Sequence, residues 1–379
     1  MKRKFYLDEA ATTKVYPEVL KDMEKYYLEE YGNPSSLHEM GEKAQKAINE
    51  AREILAREIN AKPNEIIFTS GGTESDNLAI QGLARAYPKK KKILISAIEH
   101  AAVMETCNFL GKEGYEVVKI RVNKDGLVNI DELKKEIDKN TDNILLVSIM
   151  HANNIFGTIQ DIAAIGKLCK ENNVIFHTDA IQSFGKLKID VKKMNIDILS
   201  ASAHKIHGPK GIGFLYVKDG IKIKPLIFGG GQEKDLRSGT ENVPGIIGFA
   251  EALELTKNVN KEKIRKIRDK LMSELEKIGG NVNGTKDENR IYNNVHVSFL
   301  GIDNETLVAF LSHKGIYVSA GSACDSKKEK EDYVLRALGL NKKEISGSIR
   351  ITLNEEVTDK DIGFIVREIE KVVKKLKIT

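Results

Sequence analysis

Apolar and mixed stretches alternate along most of the chain with a regularity that predicts its architecture. Ile66-Ile67-Phe68-Thr69, Lys92 to Ser96, Glu116 to Ile120, Ile144 to Ser148 and Val174 to Thr178 are short runs rich in β-branched residues. Each reads as a strand, the first of them buried, separated from the next by a helical pattern or a long connection. Repeated β-then-α units of this kind predict a mostly parallel sheet with helices on both faces. Ahead of them, Pro17 opens a helix expected to carry Val19, Leu20 and Met23 on one face, and a long amphipathic helix runs from about Gly41 to Ile59. Two further runs, Ile196 to Leu199 and Phe214 to Val217, flank the loop Ser202-Ala203-His204-Lys205-Ile206-His207-Gly208-Pro209-Lys210-Gly211-Ile212-Gly213. After Asn242-Val243-Pro244-Gly245 the pattern changes to helices, Ile246 to Thr256 and Lys261 to Ile278. Strands Val295 to Phe299 and Ser348 to Thr352 and a helix from Asp359 to Lys375 follow. The expected division is a large unit, residues 15–254, and a smaller α+β unit made of residues 1–14 and 255–379.

Composition narrows the class. With 379 residues, 41% hydrophobic, 30% charged and only 7 prolines, the chain is globular and long enough to bury a sizeable core. The net charge of +5 is dispersed, which argues against a nucleic-acid surface. No apolar span is long enough for a membrane, and Phe5-Tyr6-Leu7 is followed at once by Asp8-Glu9, so a cytoplasmic location is expected. Three cysteines, Cys107, Cys169 and Cys324, are odd in number and lack metal-ligand spacing, which disfavours a disulfide framework or a zinc site. Cys107 and Cys169 fall in helical patterns and are expected to be buried. Cys324 falls in Ser319 to Asp332, a stretch of small and charged residues expected to be an exposed, mobile loop with a thiol capable of work.

Several candidate groups sit where strands end. Lys205 follows a strand among small residues, where its amine can be desolvated enough to form a Schiff base; the alternative is an ordinary loop lysine. Ser70-Gly71-Gly72-Thr73 is either a phosphate-binding helix N-terminus or a plain capped one. Asp179, after Thr178, reads as a partner for a ring nitrogen or as a helix cap, and His100 as a crevice residue or a structural histidine. Arg350 alternates with Ser348 and Thr352 on a polar strand face, suited to a substrate carboxylate or to a structural ion pair.

Taken together, Thr73-Glu74-Ser75-Asp76-Asn77, Glu99-His100, Asn153-Asn154 with Gly157, Asp179-Ala180-Ile181-Gln182-Ser183, Ser202 to Lys205, Arg237-Ser238-Gly239-Thr240 and Gly321-Ser322-Ala323-Cys324 occur in the order found in cysteine desulfurases. The chain resembles that family over nearly its whole length. The resemblance implies an α/β pyridoxal phosphate enzyme of the class V aminotransferase fold (fold type I), with Lys205 as the Schiff-base lysine. It further implies Asp179 on the pyridine nitrogen, Gln182 on the ring oxygen, His100 stacked on the ring and moving protons, and Thr73, Ser202 and His204 on the phosphate. Thr240 would reach the phosphate of a second subunit, making a homodimer part of the site. Asn154 and Arg350 would hold the carboxylate of L-cysteine, and the Cys324 thiolate would take its sulfur as a persulfide, releasing alanine. The sulfur would pass to an acceptor protein, either an iron-sulfur scaffold or a tRNA-thiolation enzyme. Alternatives within reach are a selenocysteine lyase, a class V aminotransferase, or a weakly active sulfur-carrier or interaction protein. One departure stands out: members usually carry Asn-Asn-Glu-Ile/Thr-Gly where this chain has Asn153-Asn154-Ile155-Phe156-Gly157. The chain ends at Thr379, without the longer tail some members use to dock a scaffold, so no particular acceptor is implied.

Overall fold

The computed structural model describes residues 3–320 and 332–378. A short strand β1 (Phe5–Tyr6) leads to β2 (Ile66–Thr69), β3 (Lys92–Ser96), β4 (Glu116–Ile120), β5 (Ile144–Ser148), β6 (Phe176–Asp179), β7 (Ile198–Ser202) and β8 (Gly213–Val217). These last seven form one sheet in the order β2-β8-β7-β6-β5-β3-β4. Neighbours from β7 to β4 are parallel, and β8 alone runs against both of its partners. The expected mostly parallel sheet is present, and β7 and β8 enclose the lysine loop as an antiparallel pair.

The alternation of a strand explains why both faces are covered. Phe68, Phe214 and Tyr216 point to one side, into a core shared with Leu55 of helix Glu39–Glu58 and Phe249 of helix Val243–Thr256. Ile67 and Leu215 point to the other, against Leu78 and Leu83 of helix Gly72–Ala86 and Val103 of helix Ala101–Lys112. In the first helix, Pro17–Leu28, Val19 and Met23 are buried but Leu20 is 54% exposed, contrary to the face read from sequence. Helix Val243–Thr256 starts three residues earlier than expected, because the Asn242 side chain caps the Gly245 N–H and proline is tolerated in the first turn.

A second sheet combines β9 (Asn281–Val282), β10 (Asn294–Ser298), β12 (Ser319–Ala320) and β13 (Ser348–Thr352), while β11 (Ile316–Tyr317) pairs with β1. Its core joins Phe5 and Leu7 to Leu271, Val297, Ile351 and Ile369. The Leu7 N–H donates to Tyr317 and its carbonyl accepts from Thr352, so the first residues are stitched between β11 and β13. The segment that follows, Asp8 to Thr13, is thereby delivered to the carboxyl ends of β6 and β7. Among the described residues no helix is long and apolar enough to cross a membrane.

Candidate functional site

A cavity of about 250 Å³ opens at the carboxyl ends of β6 and β7, where open α/β sheets bind ligands. Its wall brings together Thr73, His100, Asn154, Asp179, Gln182, Ser202, His204 and Lys205, residues spread over much of the sequence. It adjoins a second recess that shares Gly72, Thr73, Ser202 and His204 and adds Ser70, Gly71 and Lys210. A larger cleft of about 730 Å³, between Tyr16 and Asn354, contains none of the predicted site residues.

Lys205 closes a 3₁₀ turn, Ala203–Lys205, that begins directly after β7. Its Nζ donates to the carbonyls of Ala10 at 2.6 Å and Ala11 at 2.7 Å. The Gln182 side-chain amide donates to the same Ala10 carbonyl at 2.9 Å. Ala10 and Ala11 themselves line the cavity. The neighbouring Thr12 hydroxyl meets Nδ1 of His204 at 3.2 Å, and Thr13 bonds the His204 carbonyl.

Asp179 is the last residue of β6, almost fully buried, and its Oδ1 accepts the Ile181 N–H at 2.9 Å. Burial pushes its carboxyl up to about 6, opposed by that N–H and by the Lys205 charge. His100 caps helix Ala101–Lys112, its Nδ1 accepting the Ala102 N–H at 3.1 Å. That bond leaves the exchangeable proton on Nε2. Burial, with the charge of Lys205, holds His100 down to about 4, so the ring is neutral at pH 7. His204 is likewise pushed down to about 4 by burial and by Lys205.

The turn before helix Gly72–Ala86 could hold an anion. Gly71 has φ +147°, and a Cβ on Gly72 would lie 2.1 Å from Cδ1 of Ile181, which itself lines the cavity. The backbone N–H groups of this first turn and the Thr73, Ser202 and His204 side chains therefore face one recess at the positive end of the helix. An amine, a buried carboxylate, a neutral imidazole and an anion cradle around one cavity form a donor set that fits a flat, phosphate-bearing pyridine. The carboxylate suits a ring nitrogen that carries a proton, and the cradle suits the phosphate.

Arg350 is placed differently from the rest. It is 2% exposed and lies behind the wall, with Nη1 on the Asn154 carbonyl at 3.0 Å and Nη2 on Asp8 at 2.8 Å. Thr240 is exposed and does not line the cavity; nearby, Arg237 pairs with Glu74 at 2.9 Å. Cys324 lies outside the described residues. Cys107 and Cys169 are buried free thiols whose pKa values burial pushes up, which makes them poor nucleophiles.

Sequence reasoning assigned no role to two buried carboxyls behind the cavity. Asp76 brings an oxygen within 4.8 Å of ligand atoms of both His100 and Asp179, and burial beside Asp179 holds its carboxyl well above the usual range. Glu99 accepts from Ser96 and from the Met150 N–H and is pushed up to about 8 by burial. Both lie inside quoted motifs, but letters in a motif do not reveal that three carboxyls share one dry space.

The sequence profile of the "Aminotransferase class-V" family matches residues 5–364. A relative from Clostridium botulinum (strain Hall), named cysteine desulfurase IscS, is 46% identical over 381 residues, covering 99% of this chain and 95% of its own. A protein of the same name from Methanosarcina thermophila is 47% identical over 377 residues, covering 98% of this chain and 92% of its own. Among solved structures, a NifS-like protein superposes with a TM-score of 0.92 at 39% identity, covering 98% of this chain and 100% of its own. A structure titled SspA in complex with cysteine gives a TM-score of 0.83 at 38% identity, covering 93% and 99%.

Proposed function

The chain belongs to the class V aminotransferase family and is a pyridoxal phosphate-dependent cysteine desulfurase, and from that premise we propose how its own residues carry the reaction. Lys205 would hold the cofactor covalently, Asp179 would pair with a protonated ring nitrogen and Gln182 with the ring oxygen. Thr73, Ser202 and His204 would bind the phosphate, joined by Thr240 of a second copy. Bound there, pyridoxal phosphate supplies an electron sink for charge developing at the substrate α-carbon. Lys205 and Nε2 of His100 take and return the α-carbon proton, the neutral imidazole being a competent base at pH 7. Asn154, which lines the cavity, would orient the substrate carboxylate together with Arg350, which lies behind it on the Asn154 carbonyl and would become available once its contact with Asp8 gives way.

The sulfur step balances without an external oxidant. The Cys324 thiolate attacks the sulfur of L-cysteine, the S–S bond forms as the Cβ–S bond breaks, and the electron pair of that bond remains with Cβ. A proton completes the methyl group of alanine, and the protein keeps a persulfide. An acceptor protein, an iron-sulfur scaffold or a tRNA-thiolation enzyme, then takes the sulfur.

The observation that carries this reading is the convergence of Lys205, Asp179, His100, Gln182, Ser202 and His204 on one cavity. A homodimer is supported by large apolar side chains left in solvent, among them Leu28 at 66%, Leu37 at 97% and Phe228 at 76% exposed. The largest clusters, two within residues 19–253 and one joining residues 5–7 to 264–373, support a large unit of residues 15–254 that holds the cofactor and a small unit of residues 1–14 and 255–379 that carries Cys324, with a fourth cluster around Ile155 and Val334 bridging them. Unpaired thiols at Cys107 and Cys169 suit a reducing, cytoplasmic compartment. Lys205→Ala should abolish release of alanine and sulfide from L-cysteine while leaving the fold intact by circular dichroism. Turnover at the wild-type rate would exclude the assignment.

A further inference from the structure

The Arg350 guanidinium is already engaged by a carboxylate of the chain itself. Asp8 Oδ1 accepts from Nη2 at 2.8 Å, and Asp8 Oδ2 accepts from the Ser319 hydroxyl at 2.9 Å. The Asn154 carbonyl takes Nη1, and Nε finds no partner among the described residues. Arg350 is therefore fully buried with its fork turned to Asp8 and to the back of Asn154, whose side lines the cavity. The Asp8 side chain is 19% exposed and has a path to water that Arg350 lacks. Its position is fixed by the pairing of Leu7 with β11 and β13, so it is aimed at Arg350 before any ligand arrives.

We propose that Asp8 is a specificity-determining residue, a placeholder that occupies Arg350 until the carboxylate of an incoming α-amino acid exchanges with it. The inference rests on the reading of Arg350 as the partner of the substrate carboxylate. A buried guanidinium without a counter-ion is costly, so the empty site needs a carboxylate of its own. The tethered group competes at high effective concentration, and the substrate binds only by displacing it. Asp8 thus raises KM for cysteine and weakens retention of alanine, and it rewards only ligands that bring a replacement negative charge. Amino acids whose carboxyl is neutralised gain nothing from the exchange.

The test is the Asp8→Asn holoenzyme, which keeps the shape and an oxygen acceptor for Arg350 but removes the competing charge. KM for L-cysteine should fall, and affinity for L-alanine by calorimetry should rise, each by about three- to tenfold. Affinity for L-alaninamide, which lacks the carboxylate, should not change, and Asp8→Glu should restore the wild-type values. Unchanged or weakened alanine binding in Asp8→Asn overturns the proposal. Arg350→Gln separates the two levels: if it leaves alanine binding unaltered, the carboxylate role of Arg350 itself falls. If it weakens alanine while Asp8→Asn does not strengthen it, only the placeholder falls. Should Asp8→Asn fold poorly, Ser319→Ala loosens Asp8 and should shift alanine affinity in the same direction by a smaller factor; no shift overturns the proposal equally.

Discussion

Burial holds the histidines at and behind the cavity neutral at pH 7. His177, fully buried on β6, meets the Ser148 hydroxyl at Nδ1 and the Ser200 hydroxyl at Nε2, with Asp76 3.7 Å away. Burial pushes it down to about 3. Because the folded value lies below the unfolded value of about 6.5, His177 contributes stability that is fully present above pH 6.5 and is lost as pH falls toward 3. His177→Gln should therefore cost stability at pH 7, and the cost should shrink by up to about 1.4 kcal/mol per pH unit between pH 6.5 and 4. Denaturant unfolding of both proteins across that range measures it; a cost that does not vary with pH would show that His177 does not titrate this way. The residues that line the cavity were legible as motif letters at strand ends. Asp8, Ala10 and Ala11 were not, because two of them act through backbone carbonyls and side-chain patterns carry no record of those.

Between residues and the whole lies the turn Asn153 to Gly157. Asn153 Oδ1 accepts the N–H groups of Ile155 and Phe156, and Gly157 has φ +78°, which fixes a tight loop beside the cavity. Ile155, where the family resemblance implies a glutamate, is 4% exposed and packs with Ile98, Met150, Phe156, Val334 and Leu335. Val334 and Leu335 belong to helix Asp332–Ala337, so the substitution ties the Asn154 turn to that helix by apolar contact. Ile155→Glu should lower stability by roughly 2–4 kcal/mol, because it buries a carboxylate without a partner. Denaturant unfolding checks this, and unchanged stability would mean that the cluster relaxes to let the carboxylate reach water. The sequence marked position 155 as unusual, but the neighbours that make isoleucine fit come from residues far along the chain. Helices with a clear apolar stripe were readable to within a few residues. Leu20 was misplaced because it lies one residue, about 100°, round the helix from the buried Val19–Met23 line, and an apolar letter there does not show on which side of that line the core ends.

At the scale of the molecule, the parallel sheet followed from its run of short apolar strands, since burial on both faces suppresses polar alternation. Strand order, the reversed direction of β8 and the route of residues 5–13 did not, because they are set by contacts between distant segments. That route matters most for function. It carries Asp8 to Arg350, the Ala10 and Ala11 carbonyls to Lys205, and Thr12 to His204, so one segment contacts both the groups proposed to hold the cofactor and the one proposed for the carboxylate.

The central claim is that sulfur leaves L-cysteine by way of Cys324 at a site organised around Lys205. It is tested most directly by incubating the protein with L-cysteine in the absence of reductant and weighing the peptide that contains Cys324 while counting alanine released. The account predicts one alanine for each peptide made heavier by one sulfur atom, and neither product in Cys324→Ser beyond a trace. Alanine formed at the wild-type rate by Cys324→Ser, or sulfur found on Cys107 or Cys169 instead, would contradict it.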